Sequence, residues 1–470
     1  MGTQIKTQVL VVGGGPGGYV AAIRCGQLGL DTVLVEADRL GGTCLIRGCI
    51  PSKALIQVAG KFEEIRRHVG DGTQGIRLDT PPQFDLGAAV RWKDSVVDKL
   101  DAGVNALLKK ARVRTVQGWA VFSDAKTCTV ETPDGALRID AEHVILANGS
   151  RPVELPGLPF DDVVVSSTET LALERLPQRV VVVGAGYIGL ELGIALRKMG
   201  AQVTIVETME RILAQYDPVL TQPVARWLKQ HDVTVLFRCK AKTLKRGKQG
   251  ISLQAETASG ENLSLPCDRV LVTVGRRPLT QGWGLENMAV DMDGNFVKVD
   301  DRCHTSMRNV WAIGDLVGEP MLAHKASAQG EMVAEIIAGV KRRFDPVAIP
   351  AVCFTDPEIV SVGLSPTAAK ARGHEVVTGN FPFAANGRAL TLQAGADGGF
   401  VRVTARKDNH VVLGIDAVGA HVSDLSGEFS HALEMGARLE DLALTIHAHP
   451  TLSEALPEAS LAALGHAIHI

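Results

Sequence analysis

Long hydrophobic runs are missing from this chain of 470 residues. Stretches such as Val180–Val183 are strand-sized, whereas a membrane span needs about 20 apolar residues. No block of basic residues is present, and the net charge is only −3, so neither nucleic acid nor an anionic membrane is indicated as a partner. No early stretch combines a basic segment, an apolar run and a small-residue cleavage site, so no secretory signal is expected. Met1-Gly2 begins as a myristoylation signal does, but Lys6 stands where Ser or Thr is wanted. The chain reads as a soluble, cytoplasmic protein. No Cys/His spacing resembles a zinc site, so no metal is expected. Of the eight cysteines (25, 44, 49, 128, 239, 267, 303 and 353), only Cys44 and Cys49 lie close together. In a reducing compartment the others should be small buried hydrophobes. Aromatics make up only 4%, against 49 glycines. That balance suits α/β domains whose Gly-rich turns approach nucleotide phosphates.

The length is too great for one hydrophobic core, and 46% hydrophobic with 21% charged residues is ordinary globular composition. An apolar run, Gln8–Val12, leads into Gly13-Gly14-Gly15-Pro16-Gly17-Gly18, an amphipathic stretch over Tyr19–Leu28, and a second run, Thr32–Val35, ending on Glu36. Strand, Gly-rich turn, helix, strand and acid are the order of a dinucleotide-binding βαβ unit. The order recurs with Arg179–Val183, then Gly184-Ala185-Gly186-Tyr187-Ile188-Gly189, a helix to about Met199, and Val203–Val206 ending on Glu207. In both copies the acid lies 18 residues after the third glycine, Gly18 or Gly189. One such motif is as well explained by a tight turn as by a nucleotide. Two with matching acid spacing favour nucleotide binding, because glycine lets backbone N–H groups reach a pyrophosphate at a helix N-terminus. Glu36 and Glu207 can each accept from a ribose, and a carboxylate at the second site repels a 2′-phosphate, so NAD is expected there over NADP.

Pro51–Val69 and Phe84–Lys110 are predicted helices, and Trp119–Val130 and Leu137–Leu146 strands. Two strand-then-Gly endings, at 147–152 and 275–278, mark returns from nucleotide domains. After Ala348, strand-like runs (Ala351–Phe354, Gly399–Ala405, His410–Val418) mix with helical ones (Leu425–Met435, Leu439–Leu444) in a separate α+β domain.

The most informative stretch is Gly41-Gly42-Thr43-Cys44-Leu45-Ile46-Arg47-Gly48-Cys49-Ile50-Pro51-Ser52-Lys53. A regular α-helix would separate cysteines five apart by about 7.5 Å along its axis, and bridged Cα atoms lie within about 7 Å. The turn must therefore be distorted, with Gly48 and Pro51 as agents and a regular helix resuming after Pro51. Two buried core thiols are the bland reading. Flanking glycines and the preceding nucleotide motif weigh against it, since a helix start stabilises a thiolate. Lys53, one turn on, adds positive charge there, unless it is only a solvated surface lysine.

This stretch resembles the redox signature of the pyridine nucleotide–disulfide oxidoreductases, with Ile46 in place of the usual Asn. The resemblance runs nearly end to end. Val310-Trp311-Ala312-Ile313-Gly314-Asp315 is similar to the family's flavin-ribitol motif, Met321-Leu322-Ala323-His324 to the segment under the isoalloxazine, and His447-Ala448-His449-Pro450-Thr451-Leu452-Ser453-Glu454 to the C-terminal catalytic motif. It implies FAD and NAD as cofactors and two Rossmann-like domains with a C-terminal α+β dimerisation domain. The divisions would be 1–150 (FAD), 151–278 (NAD), 279–347 (central, completing the FAD site) and 348–470 (dimer interface). Cys44 and Cys49 would form the redox disulfide, Cys44 exchanging with substrate and Cys49 facing the flavin. His449 would be the base, oriented by Glu454 and reaching the partner's site in a homodimer. Lys53 and Glu191 would meet near the flavin, and Tyr187 would gate the nicotinamide pocket. Gly13, Gly15, Gly18, Glu36, Gly42, Thr43, Lys53, Ala120, Gly149, Asp315 and Ala323 would hold FAD. Gly184, Gly186, Tyr187, Gly189, Glu207 and Gly275 would hold NAD. Asn148 stands where Thr is common.

The resemblance is best to the branch that oxidises dihydrolipoamide on the lipoyl domain of a 2-oxoacid dehydrogenase acyltransferase or a glycine-cleavage H-type protein. The ending Gly465-His466-Ala467-Ile468-His469-Ile470 resembles the form serving branched-chain oxoacid complexes. A glutathione-type reductase is the alternative, opposed by Glu207 and the Ile50-Pro51-Ser52-Lys53 run. A mercuric reductase would end in a cysteine pair. A non-catalytic flavoprotein subunit would not need Cys44, Cys49, His449 and Glu454 together.

Overall fold

The computed structural model describes residues 3–470 apart from 71, 73, 134, 249 and 397; Met1-Gly2, weighed above for myristoylation, lies outside the described residues. β1 (Thr3–Val12), α1 (Pro16–Gln27) and β2 (Thr32–Glu36) form the first βαβ unit. Then come α2 (Cys49–Arg66), α3 (Leu86–Lys110), β3 (Arg114–Gln117), β4 (Trp119–Phe122), β5 (Thr127–Thr132) and β6 (Gly135–Leu146). The strands lie in the order β3-β2-β1-β6-β5-β4, and the late strand Val310–Ala312 pairs with β6 in parallel. Val9–Val12 are buried because strands of a parallel sheet are covered on both faces, so they read as unbroken apolar runs.

A second, wholly parallel sheet repeats the plan. Arg179–Val183 lies at its centre between Gln202–Val206 and Arg269–Val272, with Thr234–Leu236 and Val164–Val165 at the edges. The chain passes between the two sheets at Ser150–Pro152 and Arg276–Pro278, and these segments pair antiparallel. The third sheet is antiparallel, in the order Ala351–Cys353, Glu358–Gly363, Val412–Gly419, Phe400–Arg406, Val376–Pro382. One core cluster spans all three parts: Leu55 and Ala59 of α2 pack with Leu190 and Leu192 of the helix Tyr187–Met199 and with Cys353 and Ile359.

Several elements differ from expectation. The predicted strand Trp119–Val130 is a hairpin, because Asp124 Oδ1 accepts from the backbone N–H groups of Lys126 and Thr127 and turns the chain. The helix expected after Pro51 begins at Cys49, since proline has no N–H to lose in a first turn. The meander Cys239–Gly247, Gly250–Thr257 and Asn262–Pro266 was not anticipated. Its lysines are largely solvated, while Ala241 and Leu244, on either side of a bulge between Ala241 and Thr243, pack against the core.

Strand alternation also sets the contact between the second and third parts. Val401, Val403 and Ala405 face the core of the third part, which turns Arg402 to the other face. There its guanidinium donates to Asp416 at 2.6 Å and to Asp217 at 2.9 Å. Asp217 caps the helix Pro218–Gln230, and Asp416 also accepts from Ser361 at 2.7 Å. Breaking a buried pair leaves a charge without a partner, at about 3–5 kcal/mol. Arg402→Met, which strands two buried carboxylates, should lower stability on that scale, read as a fall in denaturant midpoint.

Candidate active site

Thr43–Arg47 form a π-helical turn, and Gly48 breaks it before α2 begins. A Cβ at Gly48 would stand 2.8 Å from the Thr43 carbonyl oxygen. This wide turn provides the distortion the spacing demands: the two thiols are within hydrogen-bonding reach, and both cysteines are free. The hydrogen bond from Cys44, aided by the Lys53 ammonium, brings the Cys49 thiol down to about 7. The same hydrogen bond, with burial, drives Cys44 upward. The geometry therefore favours a thiolate on Cys49. Cys49 is the more exposed of the two, and both line the first cleft.

That cleft, of about 360 Å³, lies over the first βαβ turn. Gly13, Gly15, Glu36, Gly42, Thr43, Lys53, Gly149, Asp315 and Ala323 all line it. Gly18 does not, because it is a packing glycine: a Cβ there would lie 1.7 Å from the Gly13 carbonyl oxygen. Ala120 is buried within β4, and its neighbour Trp119 lines the cleft. The second cleft, of about 910 Å³, is lined by Gly184, Gly186, Tyr187, Glu207 and Gly275. Gly189 matches Gly18, its Cβ falling 2.2 Å from the Gly184 carbonyl oxygen.

The two acids are held alike. Glu36 accepts from Gly14 N at 2.6 Å and Asp38 N at 2.9 Å; Glu207 accepts from Ala185 N at 2.6 Å and Met209 N at 2.8 Å. Each carboxylate ties its turn together and keeps lone pairs for a ribose. At Gly15 and Gly186 a Cβ would meet nothing within 4 Å, so backbone lies open to each cleft where a pyrophosphate would sit. Asn148 Oδ1 and Arg47 Nε are buried on the first cleft without partners. These features fit a dinucleotide in each cleft.

Lys53 Nζ donates to Glu191 Oε2 at 2.8 Å, joining α2 to the helix of the second βαβ unit. Tyr187 lines both clefts, and burial pushes its phenol up to about 12. The sequence reading missed a relay at the crossing between the sheets. Ser150 donates to Asp315 at 2.5 Å, and Arg276 donates to Ser150 Oγ at 2.8 Å and to its carbonyl at 2.7 Å. The signal was present as a repeated Gly-x-Arg-Pro, at 149–152 and 275–278. Also missed were the Arg47–Asp38 ion pair and Glu428, which pairs with His447 at 2.7 Å.

His449 Nδ1 lies 2.8 Å from Glu454 Oε1, and Glu454 Oε2 accepts from Thr451 N at 2.8 Å. Burial acts to raise Glu454, but the Thr451 N–H and His449 outweigh it and hold the carboxyl below its usual range. With Nδ1 directed at a carboxylate, Nε2 is left as the basic nitrogen. His449 is largely exposed and does not line the cleft around Cys44 and Cys49 of its own chain. Among the described residues no group of three or more His, Cys, Asp and Glu could hold a metal ion, and no helix is long and apolar enough to cross a membrane.

Residues 7–330 match the family described as pyridine nucleotide-disulphide oxidoreductase, and residues 349–460 match its dimerisation domain. The chain therefore belongs to the pyridine nucleotide-disulphide oxidoreductases, and its dimerisation domain makes it a homodimer. It is 57% identical over 467 residues to the dihydrolipoyl dehydrogenase of Pseudomonas aeruginosa, covering 99% of both chains. It is 44% identical over 467 residues to that of Geobacillus stearothermophilus, covering 99% of this chain and 98% of the other. Within the family it falls among the dihydrolipoyl dehydrogenases, as an oxidoreductase that takes FAD and NAD. Among solved structures, LpdA from Mycobacterium tuberculosis matches with a TM-score of 0.88 at 25% identity, covering 97% of this chain and 99% of that one. The HOCl-induced flavoprotein disulfide reductase RclA from Escherichia coli shares the fold, with a TM-score of 0.84 at 24% identity, covering 96% and 99%.

Lowering the pH through 7 should protonate Cys49, because its thiol has been brought down to about 7. In the reduced protein, iodoacetamide labelling of Cys49, followed by peptide mapping, should slow about fivefold between pH 7 and pH 6. A profile flat across neutrality would contradict the thiolate assignment.

Proposed function

We propose that the enzyme oxidises protein-bound dihydrolipoamide to lipoamide at Cys44–Cys49 and passes the electrons to NAD+. The observation that carries this is the thiol pair beside the Lys53–Glu191 ion pair, in a cleft adjoining a second nucleotide cleft. Cys44 exchanges with the substrate, Cys49 faces the flavin, and His449 Nε2 is the base. His449 takes the proton from one substrate thiol. The resulting thiolate attacks Cys44 of the oxidised pair, forming a mixed disulfide and releasing Cys49 as a thiolate stabilised by Lys53. The second substrate thiol then attacks the substrate sulfur of the mixed disulfide and displaces Cys44, its proton passing to the departing Cys44 sulfur. Lipoamide thus leaves as a disulfide, with Cys44 a thiol, Cys49 a thiolate and the first proton on His449. Bound flavin supplies the two-electron transfer between this dithiol and NAD+.

The position of His449 away from its own chain's cysteines supports a site completed across the dimer, with residues 348–470 as the interface part. Residues 1–150 and 279–347 together would form the FAD part and 151–278 the NAD part. Gly13, Gly15, Glu36, Gly42, Thr43, Gly149, Asp315 and Ala323 hold FAD in this reading, and Gly184, Gly186, Tyr187, Glu207 and Gly275 hold NAD. Gly18 and Gly189 serve by letting helix and strand approach. The dihydrolipoyl group arrives on the lipoyl domain of another protein, an acyltransferase of a 2-oxoacid dehydrogenase complex or an H-type protein, in the cytoplasm where NAD+ is available. Glu207 opposes a glutathione-type reductase fed by NADPH.

Dihydrolipoamide-dependent reduction of NAD+, compared with NADPH-dependent reduction of glutathione disulfide, tests the reading directly: only the first should turn over. Glu207 next to the ribose position should also make NAD+ strongly preferred over NADP+. Equal kcat/KM for the two would remove the role given to this carboxylate.

Positioned proton transfer contributes about 10²–10⁴-fold in rate. His449→Gln should lose activity on that scale with FAD retained, and Glu454→Gln should lose less. Mixing inactive Cys44→Ser with inactive His449→Gln subunits should restore part of the activity, because one site of each mixed dimer is intact. Verified mixed dimers without recovery would place His449 in its own chain's site or outside catalysis.

A further inference from the structure

Glu191 is almost fully buried, with its side chain only 4% exposed, and both its oxygens are engaged. Oε2 accepts from Lys53 Nζ at 2.8 Å, and Oε1 accepts from the backbone N–H of Phe354 at 2.9 Å. Phe354 follows the strand Ala351–Cys353 at the start of the third part of the chain. The same residue places its ring under the lysine: Nζ lies 4.5 Å from the ring centroid. One residue thus meets both members of the ion pair, with its main chain on the acid and its ring on the ammonium. Its backbone has little room to shift, because Cys353 and Thr355 on either side are buried, and Thr355 Oγ donates to the Pro357 carbonyl at 2.7 Å.

We propose that Phe354 is a positioning residue for the redox centre, seating the Lys53 ammonium against Glu191 so that its charge is directed at Cys49. The proposal rests on the reading of Cys49 as the flavin-facing thiol. A lysine has a long flexible stem and a compact charge, so Glu191 alone fixes one direction of the ammonium. The face of an aromatic ring attracts a cation through its quadrupole, most strongly where water is excluded, and this fixes a second direction. Lys53 is itself among the causes that lower Cys49. The other titratable groups that act on or feel Cys49 are Cys44, Glu191, Tyr187 and Arg276. Lys53 also acts on Cys44 and on the buried Cys353 beside Phe354, and the ring of Phe354 meets this centre through its contact with the Lys53 ammonium. Because Phe354 belongs to the part of the chain that pairs in the dimer, the charge beside the thiolate is set partly from the interface part.

The test uses FAD-loaded enzyme reduced by two electrons, with the long-wavelength thiolate–flavin absorbance and the iodoacetamide labelling of Cys49 followed against pH. Phe354→Leu keeps the backbone N–H and removes the ring. Its Cys49 midpoint should rise by roughly half to one pH unit, the size of a cation–π contact, leaving about three- to tenfold less thiolate below the parent's midpoint. Phe354→Tyr keeps the ring and should titrate like the parent. Should Phe354→Leu fail to fold or lose FAD, Phe354→Met takes its place in the same measurement. A lower melting temperature with an unmoved midpoint would mean that Phe354 is only structural, and the proposal falls. Lys53→Met separates the two readings. If it leaves the Cys49 midpoint in place, the description of the redox site is wrong; if it raises the midpoint while the Leu and Met variants do not, only the role of Phe354 is overturned.

Discussion

The Lys53–Glu191 ion pair is the contact on which the arrangement of the two clefts depends. Lys53 stands one turn after Cys49 on α2, and Glu191 one turn after Tyr187 on the helix of the second βαβ unit. Joining them fixes the redox turn relative to the residue lying between the clefts. The pair is only partly shielded on the lysine side, so its value lies less in stability than in register. An ionic contact between two helices specifies which turns lie side by side, whereas apolar packing alone tolerates sliding. The apolar cluster around Leu55, Ala59, Leu190 and Leu192 then supplies the burial that keeps the helices together. A second charged junction, where Lys198 meets Glu63 and Asp356, joins the same two helices near their other ends.

The proposed active centre is assembled from segments far apart in sequence, and each has a local reason for its shape. The thiols come from a turn that is neither regular helix nor loop. Lys53 follows on the first regular helix after it, Glu191 comes from the second nucleotide unit, and Phe354 from the third sheet region. Their separation is structural logic: a parallel sheet exposes its loops at the carboxyl ends of the strands, so two such sheets facing one another bring their turns into a shared crevice. The short ribbon formed by Ser150–Pro152 and Arg276–Pro278 holds the sheets in that relation, and its Arg276–Ser150–Asp315 hydrogen bonds reach the wall of the first cleft.

Much of this was legible in the residues. Both βαβ units could be read because glycine spacing, apolar runs and a terminal acid are local signals. Arg179–Val183 occurs with the bounds expected, and the helix that follows ends at Met199 as expected but begins at Tyr187, inside the glycine motif. The distortion between Cys44 and Cys49 followed from helix geometry. What stayed hidden depends on tertiary partners. Nothing near Phe354 shows that its N–H points at a glutamate 163 positions away. Arg402 looks like any strand residue until alternation places it on the buried face between Asp416 and Asp217. The lysine-rich meander reads as a solvated segment because one of its faces is one. Gly18 and Gly189 were grouped with the nucleotide contacts because sequence does not distinguish a glycine that clears space for a ligand from one that clears space for backbone.

The way Glu207 is held bears on re-engineering the coenzyme preference. Its carboxylate faces the second cleft and is also the acceptor for Ala185 N and Met209 N. Exchanging it for a neutral or basic side chain, the obvious route to admitting a 2′-phosphate, withdraws the acceptor from two main-chain donors at once. Each donor left without a partner away from water costs about 1–3 kcal/mol, and the turn proposed to meet the pyrophosphate is the one that would loosen. In the proposed reading, charge recognition and turn geometry are carried by this single residue. A redesign therefore has to supply a replacement acceptor for Ala185 N before any cation is introduced for the phosphate.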